Sequence, residues 1–236
     1  MFEMDFHIRY SETDRSGRLS MEGLLRLFQD VGYIHAEGRG LGVKFSERTR
    51  RTFYLLTWDI EALSMPCLGQ EVKIQTYFYY MSGPTAKKSI VMKDAEGNIL
   101  ATGDTLWVYM DIDKQIPADI PSDLWPKDDF GEKIGMMSKL RRIPKLDPGS
   151  QNVTSVSEII LKPYLLDMNE HANNTRLTLL AMSLCGADNG CRSLRAEFKE
   201  QIKSGSIIHP YIFKDESTIV ALKDENGKDY AVFAFV

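Results

Sequence analysis

The chain has 236 residues, with 29 basic side chains against 33 acidic ones and a formal charge of −4. At roughly 150 residues per domain, that length predicts one large domain or two small ones. Hydrophobic residues at 43% and charged residues at 26% exclude disordered and fibrous classes, and the acidic balance argues against a dedicated nucleic-acid binder.

The opening segment, MFEMDFHIRY, interleaves charged and apolar residues, so it reads as a strand and not as a signal peptide. A loop follows, then a helix. Met21, Leu24, Leu25, Phe28 and Val31 form an i, i+3, i+4, i+7, i+10 stripe, with Ser20 as the N-cap and Gly38 and Gly40 at the exit. Four β-rich runs come next, at 53–62, 71–80, 87–94 and 99–110. In the second, Val72, Ile74, Thr76 and Phe78 alternate with more polar residues, which is strand periodicity. Asp94-Ala95-Glu96-Gly97 is a hairpin turn.

Residues 113–150 carry five of the nine prolines among many charges. They read as a connector across the surface, with a short helical piece near 129–139. Strand 155–162 then leads into a polar loop, 164–173. A second helix carries Leu177, Leu180, Ala181 and Leu184 at helical spacing and ends at Gly186 and Gly190. Strands recur at 194–202, 206–213, 217–223 and 229–235.

The second half repeats the first. Lys223-Asp224-Glu225-Asn226-Gly227 answers Lys93-Asp94-Ala95-Glu96-Gly97. Before the helices, Asp14, Ser16, Arg18 and Ser20 align at one constant offset with Asp167, Asn169, His171 and Asn173. Shared element order and two matched motifs indicate a duplicated unit. Each unit is one long helix whose apolar stripe must be buried, and an antiparallel sheet wrapped around it does this. The predicted fold is therefore α+β, two tandem hot-dog units: 1–112, a connector 113–150, and 151–236.

The richest polar segment is Asp167-Met168-Asn169-Glu170-His171-Ala172-Asn173-Asn174. In an extended loop its carboxylate, amide and imidazole, at alternate positions, point the same way. Behind them lie the unpaired N–H groups of a helix N-terminus, a ready oxyanion site. An acyl group there meets a polarising donor, a base and a water-holding amide. The plainer alternative is that Asn173 caps the helix and the rest are ordinary loop residues. The first unit has Ser16 and Arg18 where the second has Asn169 and His171, so the chemistry is expected in the second unit alone.

That segment closely resembles the D-x-N-x-H-x-N-N loop of the acyl-acyl-carrier-protein (acyl-ACP) thioesterases. Tyr10 to Arg18 through Gln29-Asp30 is similar to the same family's opening loop and helix, and Leu100 to Val108 to its first-domain closing strand. The resemblance spans both units, and the acyl-chain pocket is expected in the apolar interior of the first. It implies hydrolysis of the thioester between a fatty acyl chain and the phosphopantetheine arm of acyl carrier protein, without metal or organic cofactor. It also implies fatty-acid biosynthesis; the few cysteines, the lack of a long apolar run and the charge balance predict a cytoplasmic protein that binds neither membrane nor nucleic acid, and pairing of the two units leaves monomer or homodimer open.

The resemblance assigns Asp167, Asn169 and His171 to the active site. His171 suits a base near neutral pH, or an orienting partner. Asn169 can hold the carbonyl or the water, and Asp167 can orient a neighbour or act through a water. The family follows this loop with Glu-Cys or Glu-Ala, a basic residue and Gly-Asp. Aligned on Gly205, this chain has Gln201 at the glutamate position and Ile202 at the cysteine position. Ile202 excludes a thiol nucleophile there, and Gln201 can hydrogen-bond a water without taking its proton. The base role then falls to His171 or Asp167. An acyl-CoA thioesterase and a non-catalytic acyl-binding protein of the same fold are the competing readings.

Three cysteines without metal spacing predict reduced thiols. His7, His35 and His209 are expected to be structural, His35 through the helix dipole. Two basic clusters, Arg48, Arg50 and Arg51, and Lys139, Arg141 and Arg142, are candidate docking surfaces for an acidic carrier protein.

Overall fold

The structure is a computed structural model that describes residues 1–125, 129–134, 143–145, 149, 152–187 and 190–236. The chain forms two compact units, Met1–Met137 and Ser138–Val236.

The first unit contains β1 (Phe2–His7), α1 (Met21–Gly38), α2 (Val43–Thr49), β2 (Arg51–Ala62), β3 (Glu71–Ser82), β4 (Thr85–Lys93), β5 (Ile99–Asp111) and β6 (Ile116–Pro117). Its antiparallel sheet runs β1-β3-β4-β5-β2, with β6 paired to the end of β5. Helix α1 begins as expected: Ser20 Oγ accepts from Gly23 N at 3.0 Å, satisfying a donor the helix cannot pair internally. Leu24, Leu25, Phe28 and Val31 are fully buried. Phe28 sets the approach of the helix to the sheet. A Cβ at Gly103 of β5 would lie 3.1 Å from both the Phe28 ring and Ile60, so glycine is what lets the ring reach the strand. Truncating such a buried aromatic costs about 3–5 kcal/mol.

Along β3 the alternation holds until a bulge between Phe78 and Tyr80. The extra residue resets the faces, so Met81 is buried and Tyr80 exposed. The segment expected to cross the surface is partly built into this unit. Ile120 N donates to Gly83 O at 2.9 Å, Phe78 N to Asp129 O at 3.0 Å and Gly131 N to Phe78 O at 2.9 Å, while Ile120 and Asp129 are buried. Residues 129–134 are not helical, and the rest of the helical piece expected to 139 lies outside the described residues.

The second unit contains β7 (Val153–Ser155), β8 (Ile159–Ile160), α3 (Asn174–Cys185), β9 (Ser193–Phe198), β10 (Ile207–Lys214), β11 (Thr218–Lys223) and β12 (Asp229–Phe235). The sheet order is β9-β12-β11-β10-β7, with β8 also on β10. The single strand expected over 155–162 is thus split into β7 and β8. The two flank Pro210 on the partner strand, which has no N–H to give the ladder. On α3 the core face is also shifted from the expected stripe. Leu177, Thr178, Ala181, Met182 and Cys185 are buried, whereas Leu180 and Leu184 are only half-buried. Thr178 is tolerated inside because its hydroxyl donates to Asn174 O at 2.8 Å.

Each unit is therefore a helix packed on an antiparallel sheet, the hot-dog arrangement. Among the described residues, no helix is long and apolar enough to cross a membrane. Among the described residues, none of the three cysteines forms a disulfide.

Candidate active site

The loop before α3 is a tight turn, not the extended segment expected from its alternating polar residues. Asp167 N donates to His171 O at 2.8 Å and Glu170 N to Asp167 O at 3.1 Å. Inside the turn, Asp167 Oδ1 accepts from Asn169 N at 2.8 Å and from His171 N at 3.3 Å. The carboxylate therefore folds the backbone that presents Asn169 and His171.

The turn is tied to the segment before β10. Ala172 N donates to Ile202 O at 2.8 Å, and His171 forms a bridge with Lys203. The bridge is an isolated one, and Gln201 lies two residues before Lys203 in the chain. Asn173 N donates to Leu165 O at 2.9 Å, and its side chain caps α3 by accepting from Arg176 N at 3.2 Å. That bond removes one helix amide from the oxyanion donors anticipated in the sequence.

Two contributors were not named as site residues from the sequence, although Lys203 stands at the basic position of the family's motif. Arg176 Nη1 donates to Tyr164 O and Leu166 O, each at 2.6 Å, and holds the entry to the turn. Lys203 sits beside His171, and burial, followed by that ammonium, holds the imidazole below its ordinary value despite the opposing pull of Asp167. His171 is therefore neutral at pH 7 and able to accept a proton. Glu200, one residue before Gln201, is ion-paired with Lys228. Asn169 is exposed, and Asp167, His171 and Gln201 are half-buried.

The other histidines differ from one another. His7 is exposed and 2.9 Å from Glu71, and His209 is half-buried on β10. His35 is buried against Asp129 and Lys88, so its partners are side chains and not the helix dipole. In the first basic cluster, Arg50 pairs with Asp113 at 2.7 Å and Arg51 with Asp111 at 3.0 Å. Arg48 is exposed on α2. Lys139, Arg141 and Arg142 lie outside the described residues.

The family model for the acyl-ACP thioesterase N-terminal domain matches residues 1–127. The chain belongs to the acyl-ACP thioesterase family. It is accordingly a thioester hydrolase, with fatty acyl-acyl carrier protein as its substrate class. An acyl-ACP thioesterase from Bacteroides thetaiotaomicron superposes with a TM-score of 0.86 at 17% identity, over 100% of this chain and 96% of that one. The 12:0-ACP thioesterase from Umbellularia californica gives 0.83 at 16% identity, over 99% and 95%. At such identities the likeness is one of fold, and it extends over both units. No curated protein matches the sequence.

Proposed function

We propose that this acyl-ACP thioesterase performs its hydrolysis on the 167–174 loop, with His171 as the base. Neutral His171 takes a proton from a water as it attacks the acyl carbonyl. Asn169 and Gln201 hold the water or the carbonyl oxygen, and the imidazolium returns its proton to the departing pantetheine sulfur. Asp167 positions rather than reacts, because its Oδ1 is committed to the turn. The observation that carries this assignment is the half-buried His171 beside Lys203, held neutral on a turn folded by Asp167.

The test is thiol release from acyl-ACP across pH. Rate should rise with pH through the depressed pKa of His171 and level off above it, so the acid limb lies below the usual 6.5. His171→Gln should remove about 10²–10⁴-fold of kcat and that limb together. A limb that survives in the variant would assign the base elsewhere.

A further inference from the structure

The first unit holds a second cluster of charged groups, remote in sequence from the loop just described. Lys88 of β4 is buried, and its Nζ lies 2.8 Å from Nδ1 of buried His35 on α1. His35 Nε2 is 2.7 Å from Asp129 Oδ2, and the Met1 amine is 2.8 Å from Oδ1. Arg39, one turn beyond His35, reaches within 3.9 Å of the same carboxylate, and its buried Nε has no hydrogen-bond partner among the described residues.

Burial, followed by the neighbouring Lys88, pushes the His35 imidazole down to about 4, so the ring is neutral. Its Nε2 then faces Asp129 Oδ2 and its Nδ1 accepts from Lys88. Lys88 is thereby left with one acceptor among the described residues, plus the face of Phe78, 5.0 Å from its Nζ. Burial also brings the Lys88 ammonium down to about 7.

These groups line a small, partly open pocket whose remaining walls include Leu41, Phe53, Phe78 and Trp107. An alkyl chain alone fits such walls but gives nothing to the ammonium or the guanidinium, and an unpaired buried charge is costly. Lys88 and Arg39 together face one carboxylate, Asp129, so the pocket is short of an anion. We propose that it binds a carboxylate carried on an apolar stem, the carboxylate meeting Lys88 Nζ and Arg39 Nε and the stem lying along Leu41, Phe53 and Trp107. The thioesterase reading enters only in naming the source, which is either the released fatty acid or an acyl chain bearing a carboxylate at its far end.

The test uses the whole chain and two probes, sodium octanoate and octan-1-ol, in calorimetric titrations. Octanoate should bind at least tenfold tighter than the alcohol. Its affinity should fall at least tenfold from pH 6 to pH 9, as the ammonium loses its proton while the carboxylate stays ionised. Lys88→Met and Arg39→Gln should each weaken octanoate binding tenfold or more, with thermal melts checking the fold; Arg39 is partly exposed, so its variant carries the test if Lys88→Met misfolds. Equal binding of acid and alcohol, or octanoate binding that a folded variant leaves unchanged, would overturn the proposal. Two kinetic arms separate the sources. A preference in kcat/KM for an ω-carboxyoctanoyl over an octanoyl thioester assigns the site to substrate, and inhibition by octanoate without that preference assigns it to product. Absence of all hydrolysis would sink the thioesterase reading while leaving the titrations to decide the pocket.

Discussion

The loops before α1 and α3 have almost the same backbone and different side chains. In the first unit, Asp14 N donates to Arg18 O at 2.8 Å and Gly17 N to Asp14 O at 3.0 Å, and Asp14 Oδ1 accepts from Ser16 N and Arg18 N. Every one of these bonds has its counterpart around Asp167. The flanking bonds match too: Leu19 N to Pro66 O answers Ala172 N to Ile202 O, and Ser20 N to Glu12 O answers Asn173 N to Leu165 O. Because the aspartate does the same work where no Asn–His pair exists, its first role is to fold the turn. On the proposed assignment, two side chains, Asn169 and His171, carry the chemistry on a scaffold that both units share. In the first unit those positions are Ser16, whose hydroxyl donates back to Asp14, and Arg18, which donates to Met65 O at 2.9 Å.

The largest expected effect breaks this pairing at the histidine. His171→Ala should cut kcat on acyl-ACP by about 10²–10⁴-fold, while Arg18→Ala should leave it within about twofold, since Arg18 bonds only within its own unit. Comparable losses from both would mean that the imidazole acts through the fold and not as a base.

The aspartates give the sharper comparison. Asparagine keeps an oxygen acceptor, so Asp167→Asn and Asp14→Asn should each lose no more than about 1–2 kcal/mol of stability, read from denaturant midpoints. If Asp167 only positions the loop, Asp167→Asn should retain most of kcat. Loss matching that of His171→Ala would make Asp167 the base and His171 its partner. Restoring a carboxylate with Gln201→Glu tests the same division from the other side. A second proton acceptor should raise kcat by up to about tenfold and move the acid limb toward the carboxylate range.

How much of this was legible before the structure follows from the range of the interactions. The repeat was legible because turns are coded locally. Asp14, Asp94, Asp167 and Asp224 each accept from the residue four positions on through a backbone or side-chain oxygen. The α1 stripe was legible for the same reason. The α3 stripe was misjudged because a threonine can be buried once its hydroxyl is paired, which hydrophobicity alone does not register. The Lys88–His35–Asp129 contacts join residues 53 positions apart and further, and no local periodicity encodes them. The basic cluster at 48–51 looked free in the sequence because Asp111 and Asp113, its partners, arrive from β5 and the turn after it. If the carrier docks at this ridge, exposed Arg48 should carry most of the attraction. Arg48→Glu should raise KM for acyl-ACP severalfold at low salt and leave acyl-CoA turnover unchanged.

The smallest effect concerns the residue at the left-handed position that the two loops share. Gly17 has φ +75° and its counterpart Glu170 has φ +61°. The same left-handed position is glycine in the two hairpins as well, at Gly97 and Gly227. A side chain there costs about 1–2 kcal/mol through the contact of Cβ with the backbone, so the turn at Asp167 alone of the four carries this strain. Glu170→Gly should relieve part of it and raise Tm by about 2–4 °C, whereas Gly17→Glu should lower Tm by a similar amount. The Glu170 carboxylate also raises the His171 pKa, so Glu170→Gly should move the acid limb of the pH–rate profile further below 6.5. A limb that stays in place while Tm rises would show the glutamate to be a tolerated irregularity with no part in tuning the base.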